Sequence, residues 1–260
     1  MTPQPDRADE VEFFVGYLPM SARFKRVVLG LGLGGLLLLL AAGFALASTT
    51  HGAGPAKFTF AKSQGTLGVL TTEPTPVLWT LDPSLEHGVR GTLLVRSGKF
   101  GLSARARELA GKPVRVSGQS IERDGQRMIE LAAEPQPVDG ELTDAERTLL
   151  AGPVTRSLGE VTLRGEIEDS KCYLGRMRPG DERTHRACAQ LCISGGIPAL
   201  FVVREEHGTA RQLLLADRQG HSIDRALLPY VAEPIEITGE LRQLGNLWVL
   251  ETSLDGVKRL

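Results

Sequence analysis

Two stretches of this chain align on one another without a gap. Residues 92–130 (TLLVRSGKFGLSARARELAGKPVRVSGQSIERDGQRMIE) match residues 213–251 (LLLADRQGHSIDRALLPYVAEPIEITGELRQLGNLWVLE) at a constant offset of 121 positions. Pro113 falls on Pro234, Val114 on Ile235, Val116 on Ile237, Gly118 on Gly239 and Glu130 on Glu251. Self-similarity at one fixed spacing means that one supersecondary unit is used twice, so whatever fold the first copy takes, the second must be able to take. The chain is therefore read as a duplicated domain.

Each copy carries the same succession of elements. In the first, FTFAKSQGTLGVL, PVLWTL and GTLLVRS read as strands, residues 102–110 as a short helix, and PVRVSGQSIER with QRMIELA as a hairpin across Asp124-Gly125, a two-residue turn of strong hairpin type. In the second, EVTLRGEIED, PALFVVRE and RQLLLAD are the strands, the helix lies near residues 223–231, and PIEITGELRQ pairs with LWVLETS across Gly245-Asn246. Three strands, a helix and a closing hairpin is the order of an OB-type five-stranded barrel. The 30 glycines and 15 prolines supply the turns that so many short strands need. Residues 56–133 and 158–260 are the two OB-like domains. Residues 134–157 are a linker with one short helix, opened by the capping box Thr143/Glu146 and stopped at Gly152-Pro153.

Before the repeat, residues 27–47 (VVLGLGLGGLLLLLAAGFALA) contain no charge. At about 1.5 Å per residue such a helix spans roughly 30 Å, the thickness of a bilayer core. Arg23, Lys25 and Arg26 precede it and the following STTHGAGPAK is weakly charged, so the positive-inside rule puts residues 1–26 in the cytoplasm and the barrels outside it, on a single-pass cell-membrane protein. The rival is a cleaved signal peptide, for which Ala45-Leu46-Ala47 has the small-x-small form. Gly30 and Gly34 form a GxxxG pair through which two helices could pack into a homo-oligomer, or are glycines tolerated in a lipid-facing helix. Phe13, Phe14 and Tyr17 suit the cytoplasmic membrane interface, or a partner membrane subunit. A net charge of -1 and 5% aromatic residues argue against a nucleic-acid partner.

All three cysteines lie between residues 172 and 192, with one of the five histidines among them. Aligning Gly65 with Gly165 shows that the second copy holds about 21 extra residues between its first and second strands, judged from a gapless repeat. The cluster sits in this insertion, residues 172–198, and the first copy folds without it. Thr184 reads as the N-cap of a helix ended by Gly195-Gly196 and Pro198, on which His185, Cys188 and Cys192 fall within a roughly 60° arc. Cys172 arrives from the preceding strand, turned back by Arg178-Pro179-Gly180.

Three readings stay open. Cys172, His185, Cys188 and Cys192 could hold tetrahedral zinc, or copper in softer sets that include Met177, with Asp169 orienting His185 from behind. Cys172 could instead form a disulfide with Cys188 or Cys192, leaving an odd thiol. His185, one turn from Cys188, could activate a catalytic thiol. His87, His207 and His221 read as exposed, His51 has no evident partner, and SGKFG is a glycine-containing turn rather than a phosphate loop. No HExxH, GxSxG or CxxCH occurs, and no catalytic residue is assigned.

The string GEIEDSKCYLG…HRACAQLCISGGIPALFVV resembles a group of bacterial membrane-anchored extracytoplasmic proteins with the pattern GxxxDxxC, HxxCAxxC and GGxP. The residues that carry it are Gly165, Asp169, Cys172, His185, Cys188, Cys192, Gly195, Gly196 and Pro198, and EFFVGYLP is similar to a second stretch of the same group. The resemblance implies a location outside the cytoplasm and no particular activity. The expectation is an accessory protein whose Cys/His cluster binds a metal or serves a redox role, in support of a membrane respiratory complex, with a structural adaptor as the alternative.

Overall fold

In the computed structural model the described residues are 21–49, 56–62, 65–204 and 210–260. The chain divides into two compact units, Met1–Gly52 and Ala53–Leu260. Among its described residues the first contains one helix, α1 (Ala22–Thr49). It is long and apolar enough to cross a membrane, a test that a signal sequence near an N-terminus also passes. Leu31, Leu37, Leu38 and Phe44 stand exposed along it, as they would in a helix solvated by hydrocarbon. It exceeds the expected 27–47 span at both ends, and Arg23, Lys25 and Arg26 are themselves helical. The EFFVGYLP stretch, His51 and His207 lie outside the described residues.

The second unit is mainly β. Its first module contains β1 (Lys57–Lys62), β2 (Thr66–Thr71), β3 (Val77–Leu81), β4 (Val89–Val95), the four-residue helix α2 (Ala104–Arg107), β5 (Pro113–Val116), β6 (Gly118–Arg123), β7 (Gln126–Leu131) and β8 (Gln136–Pro137). The sheet order is β1-β6-β7-β4-β3-β2-β5-β8, with β4 and β7 parallel. Only Ser117 separates β5 from β6. The connecting helix α3 (Asp144–Ala151) follows. The second module comprises β9 (Thr155–Asp169), α4 (Glu182–Ser194), β10 (Ala199–Arg204), β11 (Ala210–Ala216), β12 (Ile235–Leu244), β13 (Leu247–Glu251) and β14 (Val257–Arg259). Here β9, β10, β11, β13 and β12 pair in that order, and β12 returns to β9, closing a five-stranded barrel. Again one pair, β11 with β13, is parallel.

Register carries the repeat into three dimensions. Leu93 faces Met128 in the first module and Leu214 faces Val249 in the second, each displaced by the same 121 positions. Gln119 faces Glu130, and Glu240 faces Glu251. Gly68 faces Val114 as Gly165 faces Ile235. Gly68, not Gly65, is therefore the counterpart of Gly165. Gly68 stands 24 positions before Thr92 and Gly165 stands 48 before Leu213, so the insertion is 24 residues rather than 21.

Several local expectations change. FTFAKSQGTLGVL makes two strands, not one, because β1 leaves to pair with β6, placing Phe58 opposite Ile121. The helix expected at 102–110 shortens to α2, capped by Ser103, since glycine and proline follow closely. The one expected at 223–231 is a single 3-10 turn, Leu228–Tyr230, with Pro229 in its first turn. The Asp124-Gly125 hairpin has positive φ at both residues (50° and 80°), the geometry that type I′ turns need. Thr143 and Glu146 form the capping box of α3. That helix does not lie free as a linker: Leu150 is 1% exposed, inside the core.

One apolar cluster joins the two modules. Val69, Trp79, Leu93, Ile121 and Met128 of the first pack in the same cluster as Cys172, Tyr173, Leu174, Cys192, Leu200 and Leu214 of the second. The insertion is thus a wedge between modules. Arg123, 5% exposed, donates from Nη1 to the Tyr173 carbonyl, and its guanidinium stacks 4.3 Å from the Tyr173 ring. A charge so buried is tolerated because it is bonded and stacked.

Candidate metal centre

The site begins where β9 ends. Glu168 and Asp169 are fully buried. Asp169 Oδ1 accepts a 2.9 Å hydrogen bond from the Cys172 backbone N–H, so the carboxylate fixes the start of the wide turn Cys172–Arg176. Gly175 breaks that turn at φ 140°, which returns the chain toward α4. The N-cap of α4 is Asp181, and Thr184 lies within the helix. Glu168 Oε1 anchors the helix start by accepting from Glu182 N at 2.8 Å.

On α4, His185, Cys188 and Cys192 share a face, and Cys172 meets them from the turn. The ligand atoms of Cys172, His185 and Cys188 lie within 4.8 Å of one another, as do those of Asp169, Cys172 and Cys192. Cys172 belongs to both groups. His185, Cys172 and Cys192 are 3%, 4% and 2% exposed, while Cys188 is half-buried at the rim. Met177, exposed, sets its Sδ 4.0 Å from Cys188 Sγ. All three cysteines are free.

Asp169 Oδ2 lies 2.9 Å from His185 Nε2. Where the imidazole donates from Nε2 to this carboxylate, Nδ1 is the ring nitrogen that would serve a metal. A carboxylate behind a histidine is the arrangement that orients ligating imidazoles. The Cys172 and Cys192 sulfurs lie within 4.8 Å of one another, with Cys172 placed to give a hydrogen bond to Cys192. Cys172 is pushed up, chiefly because it gives that bond and also by burial, and Cys192 is drawn down, chiefly because it receives it.

One participant was read only as part of a turn. Lys99, in the loop between β4 and α2, places Nζ 2.8 Å from Cys188 Sγ and 3.4 Å from Cys192 Sγ. The hydrogen bond to Cys188 is the largest cause holding its ammonium above the ordinary lysine range. The loop is tightly fixed. Arg96 N donates to Phe100 O at 2.9 Å, and Arg96 Nε donates to Gly101 O at 2.8 Å. Lys171 Nζ donates to Arg96 O and Gly98 O at 2.9 and 2.8 Å, and pairs with Glu130 at 3.3 Å. Gly101 N donates to Gly195 O at 3.0 Å. The backbones meet so closely that a Cβ on Gly195 would fall 1.8 Å from the Lys99 carbonyl, and one on Gly101 would fall 2.0 Å from the Gly196 carbonyl. The GG after the cysteine helix thus serves loop docking as well as helix termination.

No protein family model, no curated protein and no solved structure matches this chain. The site's chemistry is argued from its geometry. His87 is half-buried rather than exposed, and His221 is exposed with its ring 3.5 Å from Asp217. Neither belongs to a metal-competent group among the described residues.

Proposed function

We propose that this is a membrane-anchored protein that displays two OB-like modules, descended from one duplicated domain, outside the cytoplasm. The wedge inserted in the second module binds a thiophilic metal ion, zinc or copper, through Cys172, His185, Cys188 and Cys192, with Asp169 holding the imidazole. The observation that carries the reading is the approach of Cys172, His185 and Cys188 to within 4.8 Å from two separate segments, with the Asp169 carboxylate 2.9 Å from His185 Nε2. Soft sulfur donors with an imidazole suit these ions and not magnesium or calcium. The matched registers support the duplication. The charge bias around α1 supports the orientation. The role is accessory: holding or passing on a metal, or supporting a membrane respiratory complex.

The test uses the full chain in detergent. Bound metal and free thiols are counted before and after chelation. A stoichiometric ion that is lost in His185→Ala is the expected result. A second reading is favoured by the approach of the Cys172 and Cys192 sulfurs to within 4.8 Å: in an oxidising compartment these two close a disulfide that staples the wedge. That outcome would show one free thiol, at Cys188, and no metal.

A further inference from the structure

Lys99 is the feature the cluster's ligand chemistry leaves unexplained. It comes from the first module, 89 positions before Cys188, and it touches two sulfurs at once. Nothing about packing the two modules requires a cation there. A loop held by five hydrogen bonds is a costly way to place a solvated lysine, and Lys99 is in fact half-buried.

Charge supplies the reason. Thiols that bind a metal do so as thiolates. Three thiolates around a divalent ion leave one net negative charge; around a monovalent ion they leave two. In a site where Cys172 and Cys192 are almost wholly buried, uncompensated charge is expensive. Other cations nearby are committed: Lys171 and Arg176 both pair with the Glu130 carboxylate, at 3.3 and 3.1 Å. Asp169 adds a further negative charge, held by the His185 ring and the Cys172 N–H. On either count, with Asp169 or without it, a divalent ion sits one unit nearer neutrality than a monovalent one.

The geometry points to Lys99 as the counter-cation of the metal centre, a positioning residue lent by the first module, and to a divalent thiophilic ion of the zinc class as the cargo. This rests on the metal reading above. It also gives the first module a part in the site: its β4–α2 loop completes the charge balance of ligands carried wholly by the second.

Zinc affinity of the full chain, measured in detergent by competition with a chromophoric chelator, tests this, with cobalt(II) as a spectroscopic probe of the thiolates. Lys99→Met is expected to weaken zinc binding by about tenfold or more, the scale on which groups behind metal ligands act. The thiolate-to-cobalt bands at saturation stay as in the native chain, and Lys99→Arg, which keeps the charge, recovers most of the affinity. Native-like affinity in Lys99→Met overturns the assignment and leaves the metal reading intact. Loss of thiolate bands at saturation overturns it too, because Lys99 would then be a structural prop. A native chain that binds neither ion removes the metal reading itself, and this inference with it.

Discussion

Glu168 offers a sharp test of the frame around the site. Its carboxyl is fully buried, and burial, the largest cause, raises it from an ordinary 4.5 to about 9. Neighbouring Glu166 and Asp181 push the same way, against the Glu182 N–H bond and Arg204. The folded chain therefore keeps a proton that the unfolded chain releases above about pH 4.5. Stability from this group is fully present below that pH and is lost as pH rises toward about 9, by up to about 1.4 kcal/mol per unit. By pH 7 the loss is about 3 kcal/mol. Glu168→Gln mimics the protonated acid and keeps an oxygen for Glu182 N, so it is expected to match the native chain near pH 4.5 and exceed it by at least about 2 kcal/mol at pH 7. For a unit of this size that is a rise in Tm of about 4–8 °C. Thermal unfolding of the full chain in detergent, followed by the fluorescence of Trp79 and Trp248 at pH 5, 7 and 8.5, reads it. Parallel Tm-versus-pH curves for native and variant chains would refute the buried-acid argument.

Three further outcomes follow from the same geometry. Asp169→Asn, which keeps the shape but not the charge behind His185, should weaken zinc binding by about 10–100-fold in a chelator competition. Gly195→Ala drives a methyl into the Lys99 carbonyl and should cost about 1–3 kcal/mol in thermal unfolding, with faster proteolysis in the 96–101 loop. Leu174→Ala, removing a fully buried side chain from the core common to both modules, should cost about 2–5 kcal/mol and lower a single transition rather than split it in two.

Much of this architecture was legible because it is local or repeated. Alternation in PVRV and PIEIT matches the burial pattern of β5 and β12, and the gapless repeat predicts the shared register of β4 with β7 and β11 with β13. The common face of His185, Cys188 and Cys192 follows from helical spacing alone. What escaped was long-range. SGKFG has the look of a simple turn, and only tertiary packing carries Lys99 to sulfurs 89 and 93 positions away. The departure of β1 to β6 depends on a pairing partner about sixty positions downstream, such as Ile121 for Phe58. The insertion has no counterpart in the first copy, so the sequence assigns it no packing partner. In the folded chain Tyr173 and Leu174 make it the filling between the modules.

The backbone seam where Gly101 meets Gly195 has a mechanical implication. The thiols ride on one body and their ammonium on the other, joined by the Gly101 N–H···O bond to Gly195, by the two bonds that Lys171 gives the Arg96 and Gly98 carbonyls, and by glycines packed too closely to be replaced. A shift of one body against the other therefore has to break these bonds before it can draw the ammonium away from the sulfurs.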